Sequence, residues 1–208
     1  MKFIMKQSIN DLCRLCSKTT ESIQHLSSGC SYLAPREYTT RHNLVCGIIH
    51  QAIYNSLFSK PSSVPYYQYK PQKIIENDKA KIYWDVSVIS DTNIPHNRPD
   101  IVVFRKKEKT ALIIDVTVPL DDNIQTGYVE KIAKYQVLKE KLATMYQLRT
   151  VQILPMVLSS NGLIHCNFFP NLKMCKIEHP MKVLVCSQKS VILSTTSMLR
   201  RYLNVNEI

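Results

Sequence analysis

Two β-branched runs carry the clearest two-residue period in the chain: Ile101-Val102-Val103-Phe104 and Ala111-Leu112-Ile113-Ile114-Asp115-Val116-Thr117-Val118. The polar stretch Arg105-Lys106-Lys107-Glu108-Lys109-Thr110 between them predicts a hairpin turn. Arg98-Pro99-Asp100 leads into the first strand, and because Pro99 lacks an N–H, Asp100 belongs at a strand start rather than inside one. Side chains alternate along a strand, so Asp115 and Thr117 share one face, and Ile114 and Val116 the other. An aspartate in so apolar a run is costly to bury alone. Either it faces solvent on the wet side of a sheet, or a cation holds it, and a divalent metal shared with Asp100 is one such cation.

The remaining elements follow from period and punctuation. Pro35 to Ser59 reads as a helix whose apolar stripe is Val45, Ile49, Ala52, Ile53 and Leu57, broken by Lys60-Pro61-Ser62-Ser63-Val64-Pro65. His42 lies at the edge of that stripe and reads as a packing residue or a ligand; Arg41 or His50 is equally able to reach a phosphate. Tyr66-Tyr67-Gln68-Tyr69 suits stacking on bases or covering a sheet edge, with the covering role preferred. Lys81 to Ile89 reads as the first strand, and Thr92 to Asn97 as the turn that follows. Asp85 in that strand is a third carboxylate within reach of the hairpin.

After Pro119 the pattern predicts one long helix from about Asn123 to Leu148, with Tyr128, Ile132, Tyr135, Leu138, Leu142 and Met145 inward. Lys131 falls on that buried side, Lys134 at its border and Lys139 two turns farther along. An inward lysine facing the strand of Asp115 calls for an anionic partner, unless its head snorkels to water. Val151 to Leu158 is a further strand, with Pro155 marking an edge or bulge. Ser159 to Gly162 is a turn, Leu163 to Pro180 a partly helical connector, and Gln188 to Leu203 a final helix.

Composition narrows the function. The 208 residues hold one sizeable core plus a small satellite module. Lys and Arg number 27 against 16 Asp and Glu, a net +11 that favours polyanionic partners, nucleic acid first. Met1 to Gln7 is too short and too lysine-rich for a signal peptide, and no apolar run is long enough for a membrane span. With four glycines there is no Gly-rich phosphate loop.

Seven cysteines, an odd number, argue for a reducing compartment with metal-bound thiols rather than a disulfide framework. Cys13, Cys16, His25 and Cys30 form a C-x2-C-x8-H-x4-C set, which supplies four ligands for tetrahedral, structural Zn²⁺. Thr19 or Thr20 suits the cap of a short helix bearing His25. Cys46, Cys166, Cys175 and Cys186 have no ligand spacing and read as small core residues.

The order of these features resembles the C-terminal portion of site-specific non-LTR retrotransposon polyproteins, in which a zinc knuckle precedes a restriction-like endonuclease of the PD-(D/E)XK type. The matching stretches are the knuckle, Tyr38-Thr39-Thr40-Arg41-His42-Asn43, His96-Asn97-Arg98-Pro99-Asp100, Asp115-Val116-Thr117-Val118-Pro119 and Glu130-Lys131-Ile132-Ala133-Lys134-Tyr135, running from about Cys13 to Leu203. The resemblance implies an α/β chain: a knuckle over residues 1–35 and, over 36–208, a restriction-endonuclease-like mixed sheet flanked by helices. It implies Asp100 and Asp115 as ligands of catalytic Mg²⁺ or Mn²⁺. The motif lysine, absent at Thr117, would have moved to Lys131, with Lys134 and Tyr135 beside it. Arg98, Arg41 and His42 would contact nucleic acid.

The implied activity is DNA nicking in the nucleus, leaving a 3′-hydroxyl that primes reverse transcription, with target DNA and element RNA as partners. The upstream reverse transcriptase region is absent, since the one Asp-Asp pair, Asp121-Asp122, lacks the Tyr-x-Asp-Asp setting. The alternative is a domesticated or inactive zinc-dependent module that binds nucleic acid without cutting it.

Overall fold

A computed structural model describes residues 11–58, 61–90 and 94–204. Met1 to Gln7, Ser59 at the end of the expected helix, Lys60 of the break, and Thr92 and Asn93 of the turn lie outside the described residues.

The chain is α/β, with a five-stranded mixed sheet flanked by helices. Strands β1 (Ile74–Glu76), β2 (Ala80–Trp84), β3 (Ile101–Arg105), β4 (Thr110–Thr117) and β5 (Thr150–Val157) lie in sequence order, antiparallel except for the parallel pair β4–β5. The predicted hairpin is β3–β4, and its register pairs Ile101 with Ile114. Continued by one residue past the ladder, that register brings Asp100 opposite Asp115.

Both faces of the hairpin are covered, which is why β3 is apolar from Ile101 to Phe104 and buried at every position, with the buried Arg105 at its end donating to the Cys175 carbonyl. Ile101, Val103, Leu112, Ile114 and Val116 pack against helix α1 (Thr39–Leu57) and α5 (Pro180–Asn204). Val102, Phe104, Ala111 and Ile113 pack on the other face against Tyr135, Leu138 and Leu142. Asp115 therefore points to the second face, with Ile113.

The single long helix expected between Asn123 and Leu148 is two: α2 (Ile124–Lys134) and α3 (Gln136–Met145), broken at Tyr135, whose φ of −105° and ψ of 9° are not helical. No Gly or Pro marks the break; Tyr135 is fully buried with its hydroxyl on Asp115, a tertiary contact that overrides local propensity. The new direction of α3 leaves Met145 exposed rather than inward, while Leu138 and Leu142 stay buried.

Strand β2 ends earlier than expected, at Trp84. Asp85 adopts a left-handed φ of 47°, a conformation an aspartate tolerates, and its N–H donates to the carbonyl of Asp100. Short edge strand β1, three residues long, has no sequence signal of its own. Pro155 lies in edge strand β5, beside Asp115 in the register, and its carbonyl accepts from Asn171 of helix α4 (Phe168–Met174). In the turn after β5, Gly162 has φ +90° and lies against Ile192, where a Cβ would come within 2.7 Å of that side chain. Cys46 and Cys175 are core residues and Cys186 is partly buried against the core, but Cys166 is exposed, so it is not the core residue expected.

The N-terminal segment packs onto the sheet domain. Cys13, Leu26, Cys30 and Leu33 bury themselves against Met198, Leu199 and Tyr202 of α5. Arg14 pairs with Glu21 and donates to the Tyr202 hydroxyl. Among the described residues no helix is long and apolar enough to cross a membrane.

Candidate active site and metal centre

The cysteine-rich centre is built from local turns. The Leu12–Thr20 bridge and the bond from the Cys13 N–H to the Thr19 carbonyl close a hairpin, in which Ser17, at φ 54°, turns the chain behind Cys16. His25 begins a wide single turn, His25–Gly29, that leads to Cys30. Ser22, not Thr19 or Thr20, caps this turn by accepting from the His25 N–H.

The ligand atoms of Cys13, Cys16, His25 and Cys30 all lie within 4.8 Å of one another, so the four could bind zinc. Cys13 Sγ and Cys30 Sγ are 3.9 Å apart, and Cys16 Sγ and His25 Nε2 are 3.3 Å apart. Tetrahedral Zn²⁺ with ordinary bond lengths places two sulfurs about 3.8 Å apart and a sulfur and nitrogen about 3.6 Å apart, so the residues fit the ion. Thr19 Oγ1 accepts from His25 Nδ1 at 3.1 Å and turns Nε2 toward the thiols. The Lys18 backbone N–H, with smaller help from its neighbours, lowers the Cys16 thiol to about 6, which favours the thiolate a metal needs.

The second centre gathers around β4. Asp115, 3% exposed, holds three groups from the overlying helix. The Lys131 ammonium is 2.5 Å from Oδ1, the Tyr135 hydroxyl donates to Oδ2, and Lys134 Nζ is 3.8 Å from Oδ2. Oδ1 is buried and receives no hydrogen bond of acceptable angle, so its tie to Lys131 is one of charge alone. Lys134 also lies over the Tyr135 ring, 4.7 Å from its centre. Burial, then the Asp115 charge and hydrogen bond, drive the Tyr135 phenol far above its ordinary range, so it remains a donor.

Asp100 sits just before β3. Its Oδ2 accepts from the Val116 N–H at 2.7 Å, continuing the ladder with a side chain, and pairs with His42 Nε2 of α1 at 3.0 Å. Burial pushes the Asp100 carboxyl up, but the His42 bond and charge outweigh it, and the net shift is downward. Burial pushes His42 down, yet Asp100, Asn43 and Asp115 together raise it to about 9. Both carboxylates act on the buried Cys46 thiol one helical turn away, raising it further than burial alone does. The site opens into a cleft of about 290 Å³ lined by Tyr38, Thr39, Arg41, His42, Thr117 and Lys131.

His42, expected as a nucleic-acid contact, lines the cleft and has Asp100 as its partner. Arg41 is corrected more strongly: it is 2% exposed, donates to the Ser27 carbonyl and Thr195 Oγ1, and lies over the Tyr38 ring. Its guanidinium is committed to protein groups, because an arginine this buried needs partners of its own. His50 is also unable to reach a phosphate; it is fully buried, Nδ1 shares a bond of 2.9 Å with the Tyr69 hydroxyl, and burial lowers it to about 4. Tyr69 thus performs a covering role, whereas Tyr67 is exposed. Arg98 is exposed and grips Asp85 through Nε at 2.6 Å and Nη2 at 2.7 Å. Asp85, the third carboxylate within reach of the hairpin, is held there and by Lys73.

The part of the site missed from sequence is the His42–Asp100 pair with Asn43 and Cys46 behind it. The only signal was that His42 and Cys46 are four residues apart on one helix face. Comparison with protein-family models and with curated proteins returned no match.

Proposed function

We propose that this chain is a Mg²⁺-dependent, restriction-like DNA endonuclease of a non-LTR retrotransposon. It would nick one strand and leave the 3′-hydroxyl from which reverse transcription is primed. The observation that carries the reading is the pairing of Lys131 with Asp115, one residue beyond the Ile101–Ile114 pair that sets Asp100 on the neighbouring strand, with Lys131 lining a cleft open to solvent. The mixed sheet flanked by helices is compatible with the restriction-like fold, and the net charge of +11 suits a duplex of phosphates.

Asp100 and Asp115 would hold the ion. Two carboxylates, each one residue past the Ile101–Ile114 pair of the ladder, are the hard-oxygen donors Mg²⁺ takes, and Asp115 Oδ1 is a buried oxygen still lacking a hydrogen bond. When bound, Mg²⁺ polarises a phosphate oxygen and acidifies a coordinated water. Lys131 neutralises Asp115 while no substrate is present, and then meets the non-bridging oxygen on which charge accumulates in the transition state. Tyr135 fixes the Asp115 carboxylate from below, and Lys134 supplements the positive field. Attack of water on phosphorus breaks the bond to O3′, giving a 5′-phosphate and a 3′-hydroxyl.

In this reading the zinc knuckle is structural, target DNA and element RNA are the partners, and the nucleus is the place of action. The test is nicking of supercoiled plasmid with Mg²⁺, comparing the wild type with Asp115→Ala. Loss of nicking in the variant supports the reading, and equal nicking by both proteins sinks it.

One observation favours a second reading, a module that binds nucleic acid without cutting. Both carboxylates already have cationic partners, His42 for Asp100 and Lys131 for Asp115, and such pairs can be a finished charge balance. That reading predicts tight, steeply salt-dependent DNA binding with no cleavage in either Mg²⁺ or Mn²⁺.

A further inference from the structure

We propose that His42, Cys46 and Asp100 form a second transition-metal site that takes Zn²⁺, with three protein ligands and a fourth position toward the cleft. Among the described residues, two groups of three or more His, Cys, Asp or Glu side chains bring their ligand atoms within 4.8 Å of one another, and this is the one outside the knuckle. His42 and Cys46 stand one turn apart on α1, so rigid backbone sets their spacing. Asp100 comes from the sheet and meets them at the end of β3.

The distances suit a shared ion. His42 Nε2 is 3.0 Å from Asp100 Oδ2, and Cys46 Sγ is 3.7 Å from His42 Nε2. Bond lengths near 2.0–2.1 Å to nitrogen and oxygen and 2.3 Å to sulfur place tetrahedral ligands of one Zn²⁺ about 3.3–3.4 Å (N to O) and about 3.6 Å (N to S) apart, so the sulfur spacing matches and the His42–Asp100 pair needs to open by about 0.3 Å.

The tautomer suits it as well. Asn43 Oδ1 lies 3.1 Å from His42 Nδ1, so Nδ1–H can donate there and leave the Nε2 lone pair for the metal, as an orienting partner does for a ligating histidine. A thiol donor selects Zn²⁺ over Mg²⁺. Asp115 adds negative potential, Lys131 opposes it in part, and Cys46 is fully buried while His42 faces the cleft. Three protein ligands with an open fourth position characterise reactive rather than purely structural zinc sites. Metal ligands bind in their deprotonated forms, so affinity rises with pH.

The inference shares Asp100 with the proposed nuclease site but does not rest on that reading, because metal content is measured without DNA. The full chain is saturated with Zn²⁺, freed of excess by gel filtration, and analysed for zinc per chain by mass spectrometry. The wild type is expected to hold two zinc ions, and Cys46→Ser and Asp100→Asn one each, the knuckle ion serving as the control for folding. A parallel titration of Co²⁺ into protein carrying one zinc should give a visible tetrahedral band in the wild type that Cys46→Ser lacks. One zinc per wild-type chain with no cobalt band overturns the proposal, whatever the variants do. Two zinc ions retained in both variants overturn it too.

Discussion

Lys131 of α2 places its ammonium 2.5 Å from Oδ1 of Asp115 on β4, on the sheet face that the helix covers. Removing the lysine leaves a carboxylate that is 3% exposed without its nearest cation, although the Tyr135 hydroxyl remains. Lys131→Met is expected to destabilise the chain by about 2–3 kcal/mol, less than a fully buried pair because the lysine keeps partial access to water. Urea melts measure this. If Asp115 binds Mg²⁺, millimolar Mg²⁺ recovers part of the loss in Lys131→Met; an identical melt with and without Mg²⁺ argues against metal at this carboxylate.

The His42–Asp100 pair gives a pH window. His42 is raised to about 9 from its ordinary value, so its stabilisation is full below about 6.5 and is lost as pH climbs through 9. Asp100 is lowered, so its share is present above its ordinary value of about 4 and is lost as pH falls through the depressed one. NMR titration of the imidazole in metal-free protein checks this directly. In Asp100→Asn, burial is left as the main influence and His42 should titrate nearer or below about 6.5. A midpoint still near 9 in that variant would refute the assignment.

Arg41 is a structural residue by its contacts. Arg41→Ala should cost about 2–4 kcal/mol, because it leaves the Ser27 carbonyl and the Thr195 hydroxyl without their charged donor. At a temperature where the variant is folded, its DNA affinity and the slope of that affinity with salt should match the wild type. A slope smaller by about one would instead show a lost phosphate contact.

Chelation tests the knuckle. Its buried face includes Met198 and Tyr202 of α5, so stripping zinc should loosen the C-terminal half of that helix as well as the N-terminal segment. Thermal melts followed by circular dichroism should shift down by about 2–4 °C for each kcal/mol lost, and added Zn²⁺ should restore them. A melt indifferent to chelator and zinc would remove the structural role of the metal.

Much of the fold followed from alternation and period. The β3–β4 hairpin, the shared face of Asp115 and Thr117, and strand β5 with Pro155 at an edge were legible because strand geometry is local. The inward placing of Lys131 was legible for the same reason, since one helical stripe fixes it against the covered face. The kink at Tyr135 was not, because its cause is a hydroxyl reaching a carboxylate 20 residues back. The His42–Asp100 contact spans 58 positions, and Arg14–Tyr202 spans 188; such pairs depend on how α1 and α5 lie over the sheet, which no local pattern encodes. Arg41 shows the converse error, since a basic residue next to a site reads as a ligand contact until its burial is known.

The central claim, that Asp100, Asp115 and Lys131 form a nuclease site, is tested most directly by single-turnover nicking of supercoiled plasmid in Mg²⁺, with Lys131→Ala compared against the wild type and against Lys134→Ala. The expected result is Mg²⁺-dependent conversion to open circle by the wild type, a fall of about 10²–10³-fold for Lys131→Ala, and a smaller fall for Lys134→Ala, whose ammonium is 3.8 Å from the carboxylate. Nicking by a folded Lys131→Ala at the wild-type rate, or no nicking by the wild type in Mg²⁺ or Mn²⁺, would contradict it.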